Sequence, residues 1–274
     1  MKTMNDPNPA PHVSMPWEGK STLEEIRERF DNDVERFSNL ETGQQATIDA
    51  PLVLGIVSQI AVQRLRPDSH VLDLGCGAGN FTLRVLQEMR KKVEGTSCPL
   101  PEASKQAQDR PATFHCHLAD LSRPMLTRAE SRLHAAGAAS VRAYQGDLRR
   151  LHFAENSFCC ILAGAVLHHL RDDDDWTDVF AKLHRWLRPG GRVYVSDMVW
   201  FDAPEVQKVM WQRYGAYLES LGGPAYREKV FGYIEKEDSP RSLPYQLELL
   251  RRSGFSSCEV LHRNSIFACY CGMK

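Results

Sequence analysis

The chain has no Cys-x-x-Cys pair. Its eight cysteines (Cys76, Cys98, Cys116, Cys159, Cys160, Cys258, Cys269, Cys271) show no finger-like spacing, so the pattern offers no zinc site and no metal is expected. Cys116, Cys159 and Cys160 lie in apolar, strand-like runs, as free thiols do in a reducing compartment. No stretch approaches the roughly 18 apolar residues of a membrane span. The polar N-terminus, with four prolines between Met1 and Pro16, lacks the apolar core of a signal peptide. A cytoplasmic location is therefore expected. Excess charge of either sign is also missing: 34 Lys and Arg against 35 Asp and Glu leave a net charge of −1, so no global field attracts nucleic acid. The basic spots Arg90-Lys91-Lys92, Arg149-Arg150 and Arg251-Arg252 are of a size that solvated faces carry. The dinucleotide fingerprint G-x-G-x-x-G is absent as well, which argues against a pyrophosphate site.

What is present is enough apolar material for a sizeable core, 42% of 274 residues, suiting one α/β domain with additions. Its centre is Val71-Leu72-Asp73-Leu74-Gly75-Cys76-Gly77-Ala78-Gly79-Asn80, a buried strand running into a glycine turn. A helix pattern of Phe81, Leu83, Val85, Leu86 and Met89 follows. Glycine at Gly75, Gly77 and Gly79 permits positive φ and lets a ligand approach the backbone.

Upstream, residues 1–20 read as a flexible tail and 21–66 as N-terminal helices. Ser21-Thr22-Leu23-Glu24 reads as a capping box that starts a helix striped by Leu23, Ile26, Phe30, Val34 and Phe37. A second helix runs from Pro51 to about Leu65. Downstream, Lys91 to Pro111 reads as a polar loop. A strand then ends at Asp120-Leu121-Ser122, another at Gln145-Gly146-Asp147-Leu148, and a third, Phe158 to Ala163, passes into Gly164 and His168-His169. Asp172 to Asp175 suit the start of the helix Trp176 to Leu187. Leu187-Arg188-Pro189-Gly190-Gly191 turns into a strand ending at Ser196-Asp197. Over 202–245 the rhythm changes to a helix broken at Gly222-Gly223-Pro224, and a helix and two strands close the chain.

The order Asp-x-Gly-x-Gly-x-Gly at Asp73 to Gly79, with Asp120, Asp147 and the Leu-x-Pro-Gly-Gly turn at Leu187, resembles the class I S-adenosylmethionine-dependent methyltransferases. The resemblance implies a Rossmann-like, mostly parallel sheet in the order 3-2-1-4-5-7-6, its last strand antiparallel, with 202–245 as a helical lid over 21–274 as one domain. It implies S-adenosylmethionine as cofactor. Gly75, Cys76, Gly77 and Gly79 would pack against its methionine and ribose portions, and Asp73 would help hold the loop or receive the ammonium. Asp120 would accept the ribose hydroxyls, with Leu121 among the cofactor-binding residues, and Asp147 and Leu148 would meet the adenine. Gly164 would stand at the crossover beside the ligand. Beyond the strands' carboxyl ends, where such sheets bind ligands, candidate catalytic residues are His168, His169, Asp197 and Tyr214. For each histidine a structural hydrogen bond is the competing role.

No Asn/Asp-Pro-Pro-aromatic tetrapeptide and no Pro-Cys follows the fourth strand, which sets DNA-base acceptors aside. The expected acceptor is a small molecule methylated at O, N or C. The region Phe201 to Lys274, with Leu250-Arg251-Arg252-Ser253-Gly254-Phe255, is also similar to the bacterial tRNA wobble-uridine carboxymethyltransferases. In those enzymes a lid arginine holds a carboxylated cofactor. Here the matching stretch is Arg227-Glu228-Lys229, whose Glu228 would repel a carboxylate. A tRNA (carboxy)methyltransferase and a catalytically silent cofactor-binding protein are the alternatives, and a homodimer stays open.

Overall fold

The structure, a computed structural model, describes residues 19–39, 44–95 and 113–274. The tail expected over 1–20 thus falls outside it except for Gly19 and Lys20. Among the described residues seven strands form one sheet: β1 (His70–Leu74), β2 (His115–Asp120), β3 (Ser140–Gln145), β4 (Phe158–Gly164), β5 (Leu187–Met198), β6 (Ser257–Asn264) and β7 (Phe267–Met273). Their order is β3-β2-β1-β4-β5-β7-β6, as the resemblance implied. β1 pairs in parallel with β2 and β4, and β7 runs antiparallel between β5 and β6.

Alternation along the strands explains the layering. Val71, Cys116, Leu118, Cys160 and Leu162 face one way, onto α3 (Ala50–Ala61), α4 (Asn80–Gly95) and α5 (Arg123–Ala135). Leu72, Leu74, Ile161, Ala163 and Val193 face the other, onto α6 (Asp173–Trp186) and α8 (Leu243–Arg252). Central strands buried on both faces read as nearly continuous apolar runs, and β1 and β4 do.

Four local readings differ from the structure. The capping box sits one residue later: Thr22 accepts from Glu25 N, and the Glu25 carboxylate accepts from Thr22 N at 2.7 Å. The stripe through Phe37 spans two helices, α1 (Leu23–Asn32) and α2 (Val34–Ser38), because Asp33 N bonds the Phe30 carbonyl and leaves the α-helical ladder. The polar stretch from Lys91 continues α4 to Gly95, and the rest of the expected loop lies outside the described residues. The glycine break within α7 (Pro204–Glu237) is a reversal. Gly223 has φ 75° there, and Gly215 lies beside Arg227 and Phe231 while Trp211 stacks on Phe231 at 4.7 Å. In a straight helix, residues 12 apart would be separated by about 18 Å. The two segments of α7 therefore lie back to back. Its apolar side packs with Met198, Phe201 and Ile266 into a third, smaller core.

Candidate active site

The glycine turn after β1 is fastened on three sides. Gly75 N and Cys76 N both donate to the Ala119 carbonyl at the end of β2 (2.8 and 3.1 Å). Gly77 N donates to the Asp120 carboxylate at 2.8 Å. Asp73, buried under the turn, accepts from Thr82 N at 3.2 Å and Thr82 Oγ1 at 2.6 Å, tying the strand to the first turn of α4. Burial pushes the Asp73 carboxyl up to about 7, although the Thr82 bonds favour its ionised form.

The three glycines differ in purpose. A Cβ on Gly75 would stand 2.3 Å from Val166 Cγ2, and one on Gly79 would stand 3.0 Å from Ala129 Cβ. Both positions are closed by packing, and Gly79 is not part of the cavity wall. Around Gly77 a Cβ would meet nothing within 4 Å. Gly77 faces a cavity of about 810 Å³. Cys76 lies in the same wall, its thiol pushed well up by burial.

Asp120 is the second wall of that cavity. One carboxylate oxygen takes Gly77 N, the other takes Ser122 N at 2.9 Å, and each keeps a lone pair. Burial raises its pKa while the two N–H groups oppose the rise. Ser122 caps α5 by accepting from Met125 N. Leu121 and Leu148 add apolar wall, as does Gly164, where Phe81 occupies the space a side chain would need. Asp147 is also there. Arg149 grips its carboxylate (Nε 3.0 Å, Nη2 2.9 Å) and reaches Asp175 at 3.3 Å.

The far wall carries the four candidate catalytic residues. Asp197 is buried, and one of its oxygens accepts from the backbone N–H groups of Val166, Leu167 and His168, holding a tight 3₁₀ turn over Leu167–His169. Its other oxygen takes Met198 N and His168 Nδ1. The opposite ring nitrogen of His168 points to Asp238 Oδ1 at 3.6 Å, and His169 Nδ1 lies 3.2 Å from the same oxygen. Burial works against the charged form of His168, but Asp197 and Asp238 outweigh it and push its pKa up to about 9. Tyr214 donates its hydroxyl to the Ala46 carbonyl at 2.9 Å, and burial pushes its pKa up.

Asp238 and the residues roofing the cavity were not read as site residues. Asp238 caps the C-terminus of α7. The roof consists of Phe30 and Arg29 of α1 with Tyr226 and Tyr233 from the second segment of α7. Arg29 donates through Nε to Glu237 at 2.8 Å and pairs with its second oxygen through Nη2. Arg171 joins the carbonyls of Glu237 and Ser21. Lys229 faces the cavity. Arg227 does not; it pairs with Glu219 at 2.6 Å.

An open backbone cradle at Gly77, a doubly anchored carboxylate with spare lone pairs and apolar flanks suit a nucleoside with a hydroxyl pair. A family described as "Methyltransferase domain" matches residues 102–191. A carboxy-S-adenosyl-L-methionine synthase of Shewanella sp. (strain ANA-3) is 25% identical over 223 residues, covering 80% of this chain and 79% of the relative. These similarities support membership of the class I S-adenosylmethionine-dependent methyltransferase superfamily. This methyltransferase is also 28% identical over 204 residues to the ubiquinone/menaquinone biosynthesis C-methyltransferase of Legionella pneumophila, covering 73% of the chain and 71% of that relative. An O-methyltransferase family protein of Burkholderia thailandensis shares its fold with TM-score 0.56 at 16% identity, over 90% of this chain and 61% of that one. Among the described residues no helix is long and apolar enough to cross a membrane.

Proposed function

We propose that the methyltransferase moves the methyl group of S-adenosylmethionine to O, N or C of a small molecule held between the glycine turn and the roof of α1 and α7. The observation that carries this reading is one continuous cavity bounded by Gly77 and Asp120 on one side and by His169, Tyr226 and Tyr233 on the other. When bound, the cofactor supplies an electrophilic methyl on a sulfonium. The protein's share is placement and exclusion of water.

In this reading Asp120 receives both ribose hydroxyls on its free lone pairs, as a charge-assisted pair of bonds. Leu121 and Leu148 sandwich the adenine, with Asp147 at its edge. Gly75, Cys76, Gly77 and Gly164 shape the floor, and Gly79 supports it from behind. Asp73 holds the floor to α4. Asp197 positions His168. His169 is the candidate for taking an acceptor proton, through the ring nitrogen that does not face Asp238. Such a base is optional: orientation alone can contribute about 7–11 kcal/mol, against roughly 10²–10⁴-fold for proton transfer. The helices of 202–245 serve as the lid expected from the sequence.

Calorimetric titration with S-adenosylhomocysteine tests the placement. Asp120→Ala should weaken binding about 10- to 100-fold, because bonds to a charged acceptor contribute about 1.5–3 kcal/mol. An unchanged isotherm overturns it. Transfer of labelled methyl to a metabolite pool tests the activity, and its absence favours the silent-domain alternative.

Carboxymethyl chemistry is the second reading, favoured by the relatives named as carboxy-S-adenosyl-L-methionine synthases and by Lys229 in the cavity wall. Against it, Arg227 is spent on Glu219. Mass spectrometry of the ligand retained through purification separates the two cofactors. The remaining partners, tRNA and a second copy of the chain, are tested by labelling of fractionated tRNA and by sedimentation.

A further inference from the structure

His168, His169 and Asp238 come from opposite ends of the cavity's framework. The histidines sit in the turn after β4 and the aspartate at the end of α7. Yet one donor atom from each lies within 4.8 Å of the others. We propose that these three side chains form a site for a divalent transition-metal ion, with its open positions facing the cavity.

Two imidazoles converge on one carboxylate oxygen, at 3.6 Å from His168 Nε2 and 3.2 Å from His169 Nδ1. The longer of these exceeds a hydrogen bond. Both match donors that share an ion: with metal–donor distances of about 2.1 Å, neighbouring donors stand about 3.0 Å apart in an octahedron and about 3.4 Å in a tetrahedron. His168 is also oriented as a ligand is. Its Nδ1 is held by the Asp197 carboxylate, which turns Nε2 toward Asp238, the carboxylate–histidine arrangement that supports metal-bound imidazoles. Asp197 is itself immobilised by four backbone N–H groups. The two halves of the site are locked together by Ser239 N donating to the His168 carbonyl at 2.6 Å.

Nearby cations are already committed. Arg29 is paired with Glu237, Arg171 with the carbonyls of Glu237 and Ser21, and Lys20 with the Asp238 carbonyl. Two nitrogens and one oxygen select Zn²⁺, Fe²⁺ or a similar ion over Mg²⁺ and Ca²⁺, which take oxygen ligands. On the cavity wall, such an ion would accept an oxygen of the methyl acceptor, so the class of acceptor is a hydroxyl, enol or carboxylate compound. Only this last step rests on the methyltransferase reading.

The test is calorimetry with Zn²⁺ alone on the full chain, stripped with a chelator, with Mg²⁺ in a parallel titration. The expected result is one Zn²⁺ per chain, bound at least 100-fold more tightly than Mg²⁺. His169→Ala and Asp238→Asn should each lower Zn²⁺ affinity at least tenfold, with thermal unfolding confirming that each variant folds. His70→Ala, in a separate histidine cluster, should leave binding unchanged. No stoichiometric Zn²⁺ binding by the unmodified chain overturns the site. So does binding that only His70→Ala disturbs. S-adenosylhomocysteine titrated into the same samples keeps the two readings apart. Zn²⁺ binding without it defeats the methyltransferase placement alone, and the reverse defeats the metal site alone.

Discussion

At the scale of single residues, the glycine turn shows that one motif can hold three unlike constraints. Gly75 is closed by Val166, Gly79 by Ala129, and Gly77 opens on the cavity. All three have positive φ, so alanine at any of them costs about 1–2 kcal/mol in backbone strain. Gly75→Ala adds a clash with a packed side chain and should lower the melting temperature well beyond that. Gly77→Ala should melt only a few degrees early but lose most of its affinity for S-adenosylhomocysteine. Melting curves and titrations on the two variants check this, and equal behaviour would contradict it. The motif's identity was legible in sequence because spacing records where a backbone must bend. Which glycine opens on the cavity was not, since that depends on Val166 and Ala129, which approach from other elements.

At the scale of elements, β1, β4 and the α6 start were readable because local chemistry dictates them: apolar runs, and acidic residues at a helix N-terminus. Asp172 caps α6 by accepting from Asp175 N, as its composition suggested. The reversal in α7 was only half visible. Gly222-Gly223-Pro224 announces a break, but only the packing of Phe231 on Trp211 and Tyr214 decides that the chain folds back. The same holds for the roof, where α1 is joined to the end of α7 by Arg29–Glu237 and by Ser21 N donating to the Lys236 carbonyl. Removing the guanidinium leaves Glu237 buried without its partner, a costly state. Arg29→Ala should therefore raise deuterium exchange in both 21–38 and 226–237 and weaken cofactor binding severalfold. Exchange confined to α1 would show that the two elements are not coupled.

At the scale of the whole molecule, the edge of the sheet away from the cavity carries a second polar system. His70 Nδ1 lies 2.9 Å from His117 Nε2, and His117 Nδ1 lies 3.0 Å from Tyr144 Oη. Burial, with the neighbouring His70, Arg142 and His115 adding to it, lowers the His117 pKa to about 4. A base with a depressed folded pKa stabilises the fold above its unfolded value, near 6.5, and that contribution is lost as pH falls toward 4. Urea denaturation should show stability declining through this window, and His117→Gln should flatten the decline. An unaltered slope would place the acid sensitivity elsewhere. Three histidines at strand starts were unremarkable in sequence. Only parallel register, with His70 opposite His115 and Leu72 opposite His117, stacks them.

One hydrogen bond joins these scales. Asn80, the first residue of α4, donates through Nδ2 to the Phe37 carbonyl at 2.8 Å, so the covering helices are stitched to the turn they cover. Egress of the spent thioether nucleoside past this bond is expected to be slow. We expect turnover to be paced by egress, visible as a rapid first equivalent of product followed by a slower steady phase. A progress curve with no such burst would show that the chemical step is the slower one.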